Sequence, residues 1–241
     1  MTFGVVADVH GNFEALHAAI ARHPEVAWWL CVGDLASRAG AYPEPAAPLY
    51  WIKGNNENYD TIEQIVSGTV TIPNLHYIPN GHAVRIDDLT VAGLGGTYAP
   101  RFYETPAAAL PRVGPSRRHR STGGDSRSRD DRRRHFVREE VEACARLTDV
   151  DVLLTHEAPR RFWVEDERRP GRGHDAGQTP INQVLAALKP RLHLFGHHHL
   201  FAHDVRQGVV SICVDRVSRS YLLVDRATWQ WRKIDQPADA S

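Results

Sequence analysis

Apolar and polar residues follow one another in blocks that mark short buried strands joined by amphipathic helices. Residues 3–7 form a continuous apolar run that stops at Asp8, which predicts a parallel strand buried on both faces. Asn12 stands where a helix N-cap is expected, with Phe13, Leu16, Ala19 and Ile20 behind it at helical spacing. Runs at 26–32 and 49–53 repeat the strand pattern and stop at Gly33-Asp34 and Gly54-Asn55. A helix is expected from about Asn58 to Val66, then shorter strands at 75–78, 83–86 and 90–93. The second half predicts a helix over 137–147 and a strand over 152–155 that ends at His156. A helix over 181–188 and a strand over 192–195, ending at Gly196-His197, follow in the same manner. Strands at 209–214, 221–224 and 229–233 are expected to close the sheet antiparallel. This alternation implies an α/β fold built on a parallel sheet, as one domain over residues 1–241.

Two stretches lack any period. Residues 112–134 are dominated by Arg, Ser, Gly and Asp, and residues 165–178 by Gly, Pro and Arg; both read as loops. The first carries Arg117, Arg118, Arg120, Arg127, Arg129, Arg132, Arg133 and Arg134. Such a cluster can clamp phosphates, but Asp125, Asp130 and Asp131 partly cancel its charge. The chain also uses Lys only at Lys53, Lys189 and Lys233, so a solvated loop is the reading taken.

Composition narrows the classes. Lys+Arg 29 against Asp+Glu 29 gives no net charge, which excludes a surface coated for non-specific DNA binding. No apolar run approaches the roughly 20 residues that span a bilayer. The first residues enter a strand pattern directly, and Cys31, Cys144 and Cys213 are odd in number and far apart. A reduced, cytoplasmic protein without a disulfide framework is therefore expected.

The chemistry collects at strand ends, where parallel α/β sheets bind their ligands. The first strand leads to Asp8 and His10, the second to Asp34, the third to Asn55, the next to His156, and the last to His197 and His199. Each motif alone is ordinary: a lone Asp-x-His, a Gly-Asp turn, or a surface histidine tract. Their joint occurrence at five strand ends is not. Two carboxylates, one amide oxygen and four imidazoles exceed the four ligands of one zinc site and suit two borderline metal ions sharing a carboxylate. Gly11, Gly33, Gly54 and Gly196 flank these positions and leave room for ligands to crowd together.

Asp8-Val9-His10, Gly33-Asp34, Gly54-Asn55, His156 and Gly196-His197-His198-His199 resemble the signature of the calcineurin-like metallophosphoesterases. The resemblance spans about residues 3 to 225 and implies a two-sheet β-sandwich flanked by helices, four layers in all. It assigns Asp8, His10 and His199 to one divalent metal and Asn55, His156 and His197 to a second, with Asp34 bridging and His198 pointing away. Manganese is the first expectation, with iron, zinc or cobalt as alternatives. The implied reaction is attack of a metal-bridging hydroxide on phosphorus, in line with the leaving group, so Asp34, Asn55 and His156 are the catalytic candidates. Pro73-Asn74-Leu75, the 93–98 stretch, His135-Phe136 and the 155–160 stretch are similar to the branch that debranches RNA lariats.

One departure stands out. Many relatives read Gly-Asn-His where this chain has Gly54-Asn55-Asn56, and an amide cannot supply a proton. Losing a general acid costs about a hundred- to ten-thousand-fold with a poor leaving group. A good leaving group or a substitute acid, with His174 and His203 as candidates, is then expected. Asn56, Arg160 and Arg161 are the substrate-binding candidates, and Glu57 is expected to hydrogen-bond a metal-bound histidine. Trp28, Trp29, Trp51, Trp229 and Trp231 fall in predicted strands, whereas Trp163 falls in a loop where it could stack on a base. The function expected is a phosphodiesterase acting on a phosphoester substrate, with nucleotides and nucleic acids as candidates. The alternatives are a nucleotide or small-molecule phosphomonoesterase and a non-catalytic binding module.

Overall fold

The computed structural model describes residues 1–113, 131–165, 173–206 and 208–237. The elements, in chain order, are β1 (Thr2–Val6), α1 (Phe13–Ala21), β2 (Trp29–Cys31), β3 (Leu49–Trp51), α2 (Tyr59–Val66), β4 (Leu75–Tyr77), β5 (His82–Ile86) and β6 (Leu89–Leu94). They continue with α3 (Arg138–Ala145), β7 (Val152–Thr155), β8 (Trp163–Glu165), β9 (Gly173–Asp175), α4 (Thr179–Leu188) and β10 (Leu192–Phe195). The last are β11 (Ala202–Arg206), β12 (Val209–Cys213), β13 (Ser220–Asp225) and β14 (Trp231–Asp235).

The strands form two mixed six-stranded sheets, ordered β14-β13-β1-β2-β3-β4 and β11-β12-β10-β7-β6-β5, plus the separate β8-β9 hairpin. The sheets stack face to face. Phe3, Val5, Leu30 and Val32 of one meet Val91, Val152, Leu154, Leu194 and Ile212 of the other in a fully buried core. On the outer face of the first sheet, Trp29, Trp51 and Tyr221 pack with Leu16, Ile20 and Ile62 of α1 and α2. Outside the second, Leu94 and Leu153 pack with Val141, Cys144, Ile181 and Val184 of α3 and α4. This is the four-layer α/β/β/α sandwich the resemblance implied. Strands buried on both faces are apolar almost throughout, which is why β1 and β7 read as apolar runs, while in β10 the buried His193 is hydrogen-bonded by Thr155 and Ser211.

Helix starts follow local chemistry. The Asn12 side chain accepts from Ala15 N at 3.1 Å and the Asn58 side chain from Thr61 N at 3.3 Å, each satisfying a donor that the first helical turn leaves orphaned.

Several expectations need correction. β12 runs parallel to β10 and takes its antiparallel partner from β11, a strand whose exposed, polar residues gave no apolar pattern. Within the 165–178 stretch, residues 173–175 form β9, which pairs antiparallel with β8. Trp163 lies on β8 rather than in a loop, and Trp28 and Trp229 lie just outside strands. The end of the Arg-rich stretch is a short 3-10 helix, Arg132–Arg134, and Arg133 is buried rather than solvated. Its guanidinium pairs with Asp131 at 2.6 Å, Asp60 at 2.7 Å and Glu63 at 3.2 Å, which fastens this segment to α2. The remainder of that stretch, 114–130, lies outside the described residues. Among the described residues, no helix is long and apolar enough to cross a membrane.

Candidate metal centre

The ends of β1, β2, β3, β7 and β10 converge at one edge of the sandwich and bring all seven candidate ligands together. Two groups of side chains each place their ligand atoms within 4.8 Å of one another: Asp8, His10 and His199, and Asp34, His156 and His197. His10 Nε2 and His199 Nε2 are 3.0 Å apart, and Asp8 Oδ1 lies 3.5 Å from the His199 nitrogen. Asp34 stands between the groups. Its Oδ2 is 3.6 Å from His10 Nε2 and its Oδ1 is 3.6 Å from His156 Nε2. Asn55 Oδ1 joins the second group, 3.0 Å from His156 Nε2.

Backbone geometry makes this crowding possible. Asp8, His10, Asp34, His197 and His199 all adopt left-handed conformations, with φ of 48°, 49°, 55°, 69° and 53°. Such conformations cost about 1–3 kcal/mol each in a non-glycine residue and gather at functional sites. They let the chain turn sharply after each strand, so that a single loop can present two ligands. Gly54 shows how little space remains: a Cβ there would fall onto Asp34 Oδ1 and the Asp34 backbone nitrogen. At Gly33, whose φ is +102°, a Cβ would sit 2.6 Å from His156 Nδ1.

The protonation states of Asp34 and His197 suit cation ligands, whereas burial, which lowers His156, is outweighed by Asp34 and Asp8, which raise it. Burial raises the Asp34 carboxyl, but His156, His10 and the two Asn56 N–H donors outweigh it and hold Asp34 below its usual value. Burial and the neighbouring His156 push His197 down to about 3, so its ring is neutral. His156 presents Nε2 to the site because its Nδ1 is 2.9 Å from the Val32 carbonyl, the usual way of fixing a ligand imidazole. Asp8 tests whether a metal fits. Its Oδ2 accepts from His197 N at 2.8 Å, while its buried Oδ1 has no hydrogen-bond partner and faces His10 and His199. An orphaned carboxylate oxygen among imidazole nitrogens is a donor set that a divalent cation completes.

The other candidates are placed as follows. Asn56 turns onto Asp34, donating from its backbone N to Oδ1 at 2.7 Å and from Nδ2 to Oδ2 at 2.8 Å. Glu57 does not reach a histidine. Its carboxylate accepts instead from Leu35 N, Ala36 N, Gly54 N and Tyr42 Oη, and so ties the Asp34 loop to the Asn55 loop. Burial, then Asp34, raises Glu57 to about 7. Arg160 pairs with Asp175 at 3.1 Å, and Arg161 is exposed. Neither has a hydrogen bond or ion pair with the seven ligands among the described residues. His198 turns aside against Phe162, with ring centres 4.9 Å apart. His174 lies exposed on β9, and His203 lies on β11 with its ring 4.9 Å from that of Trp231. Glu157, which the motif reading passed over, is buried directly behind His156 and accepts from Tyr98 N at 2.6 Å.

Residues 1–201 match the family model described as calcineurin-like phosphoesterase. Among curated proteins, none matches the chain in sequence. Among solved structures, TT1561 of Thermus thermophilus is similar with a TM-score of 0.63 and 13% identity, covering 97% of this chain and 98% of that one. A dimetal phosphatase from Danio rerio is similar with a TM-score of 0.55 and 11% identity, covering 98% of each chain. GAP50, the anchor in the inner membrane complex of Plasmodium, has a TM-score of 0.51 and 11% identity, covering 100% of this chain and 90% of its own. At such identities these three likenesses concern the fold, and the family model carries the assignment. The chain belongs to the calcineurin-like phosphoesterase family and is a metal-dependent hydrolase of phosphoric esters.

Proposed function

We propose that the protein is a phosphodiesterase whose substrates are nucleotides or nucleic acids, working with two divalent metal ions, manganese first among them. The observation that carries the two-metal part is the pair of ligand groups on either side of Asp34. Asp8, His10 and His199 would hold one ion; Asn55, His156 and His197 would hold the other; Asp34 would touch both. When bound, such ions lower the pKa of water and neutralise charge on phosphoryl oxygens.

The chain's own residues do the rest. Asp34 is kept ionised by its neighbours, and Asn56 fixes both carboxylate oxygens so that neither can rotate away. Glu57 joins the two loops that carry Asp34 and Asn55. Asn56 has no proton to give a departing alkoxide, so the reading favours diesters with a leaving group that needs none. The similarity of the 93–98 and 155–160 stretches to the debranching branch supports the same substrate class.

A monoesterase is the second reading, since a dimetal phosphatase shares the fold. A binding role is the third, since an anchor protein also shares it. The complete donor set argues for catalysis over binding. Chelator-stripped protein reloaded with Mn²⁺ should hydrolyse bis-p-nitrophenyl phosphate faster than p-nitrophenyl phosphate. The reverse order would move the assignment to the monoesterase, and silence on both with two metals bound would move it to the binding role.

A further inference from the structure

We infer that His193 and Thr155 are positioning residues for the metal centre: His193 orients the Thr155 hydroxyl, and that hydroxyl locks the turn that carries His156. The inference rests on the reading of His156 as a metal ligand. Ser211 on β12, His193 on β10 and Thr155 on β7 stand side by side on three adjacent strands of the second sheet. All three are buried, among strand neighbours that are Val, Leu, Ile and Phe. A buried polar group costs free energy unless it is paired, and replacing a whole paired set by apolar residues of the same shape can be nearly neutral. Stability therefore does not account for a histidine here. What a fully satisfied buried network supplies is a single fixed geometry.

The protons of this network run one way. Thr155 Oγ1 donates to the Glu157 carbonyl at 2.6 Å, which spends its only hydrogen. Toward His193 Nε2, 2.8 Å away, the hydroxyl can then only accept, so Nε2 carries the ring proton. Burial keeps the ring neutral, so Nδ1 is bare and accepts from Ser211 Oγ at 3.1 Å. The chain from Ser211 through His193 and Thr155 thus ends on a backbone carbonyl at the far side of His156. Its last bond closes the backbone around His156, whose own carbonyl accepts from Gly196 N at 3.1 Å. Gly196 leads directly into His197, assigned to the same ion as His156. The His156 ring then donates from Nδ1 to the Val32 carbonyl at 2.9 Å and turns Nε2 toward Asn55. The ring bonds set the direction of this imidazole, and the network behind it sets the point at which the chain leaves β7.

The test does not depend on turnover. Nitrogen NMR shifts of the His193 ring, measured on the metal-free full chain at neutral pH, should show a protonated Nε2 and a bare Nδ1. A proton on Nδ1 would overturn the inference. Mn²⁺ is then titrated calorimetrically into stripped wild type, Thr155→Val, Thr155→Ser and Ser211→Ala. Thr155→Val removes the hydroxyl at nearly constant shape and should weaken one of the two ions about tenfold, the lower end of the range for groups that orient metal ligands. The other ion, on Asp8, His10 and His199, should keep its affinity. Thr155→Ser should recover most of the loss, and Ser211→Ala should weaken the same ion in smaller measure. Equal affinities in wild type and Thr155→Val, or an equal loss of both ions, would overturn the inference, as would a Thr155→Ser as weak as Thr155→Val. If Thr155→Val does not fold, Ser211→Ala decides, and wild-type affinity for both ions there would overturn it. A wild type that binds no Mn²⁺ would refute the metal-centre reading itself, and the inference with it.

Discussion

His10 and His199, 189 residues apart in sequence, bring their Nε2 atoms within 3.0 Å of each other, with the orphaned Oδ1 of Asp8 beside them. The two imidazole nitrogens can share one hydrogen, but the Asp8 oxygen beside them is left without a donor until a cation joins the group. Metal should therefore stabilise the fold. A ligand at a hundredfold its Kd adds about 2.7 kcal/mol, which for a chain of this size is roughly 5–10 °C in Tm. Thermal unfolding of stripped and Mn²⁺-reloaded protein checks this, and an unchanged Tm would contradict it.

The closeness of Gly54 to Asp34 makes a steric prediction. Gly54→Ala would drive a methyl group into the Asp34 carboxylate and backbone. Overpacking of this kind costs about 1–3 kcal/mol, so the variant should still fold. Its Asp34 would be displaced, and metal occupancy and turnover should fall together. Full metal content with normal turnover would show that Asp34 is not held against the Gly54 loop.

Stability should also carry the signature of a buried neutral histidine. His193 lies between Thr155 Oγ1 at 2.8 Å and Ser211 Oγ at 3.1 Å, and burial pushes it down from 6.5 to about 3. Between these values the unfolded chain takes up a proton that the native ring refuses, so His193 costs stability as pH falls below about 6.5. Glu57 and Glu157, both raised to about 7, act in the opposite sense between pH 7 and 4.5. A comparison with His193→Gln removes their contribution. Wild type should lose about 2–3 kcal/mol relative to the variant between pH 7.5 and pH 4.5, measured by urea unfolding. A pH-independent difference would mean that the native ring takes up its proton as readily as the unfolded one.

Much of this molecule is legible in its sequence, for physical reasons. β1 and β7 are buried on both faces, so they read as apolar runs with sharp ends, and β10 departs from this only at His193, whose ring finds Thr155 and Ser211. The seven candidate ligands follow the ends of β1, β2, β3, β7 and β10, and a strand end is where the chain can turn polar. β11, β8 and β9 are not legible because their largely exposed residues obey no burial constraint. The partner of Glu57 is not legible, since sequence cannot show that the Leu35, Ala36 and Gly54 amides reach its carboxylate. Arg133 and Arg134 look identical in a run of arginines. Only the fold gives one of them three carboxylates and leaves the other with a bare Nε.

The central claim is that Asp34 joins two metal-holding groups into one centre. The most direct measurement counts metal per chain by inductively coupled plasma mass spectrometry, in wild type and Asp34→Asn, after Mn²⁺ reloading and desalting. Two ions are expected in the wild type, and fewer ions with no turnover in the folded variant. A wild type that retains no metal, or an Asp34→Asn variant that keeps two ions and full activity, would contradict it.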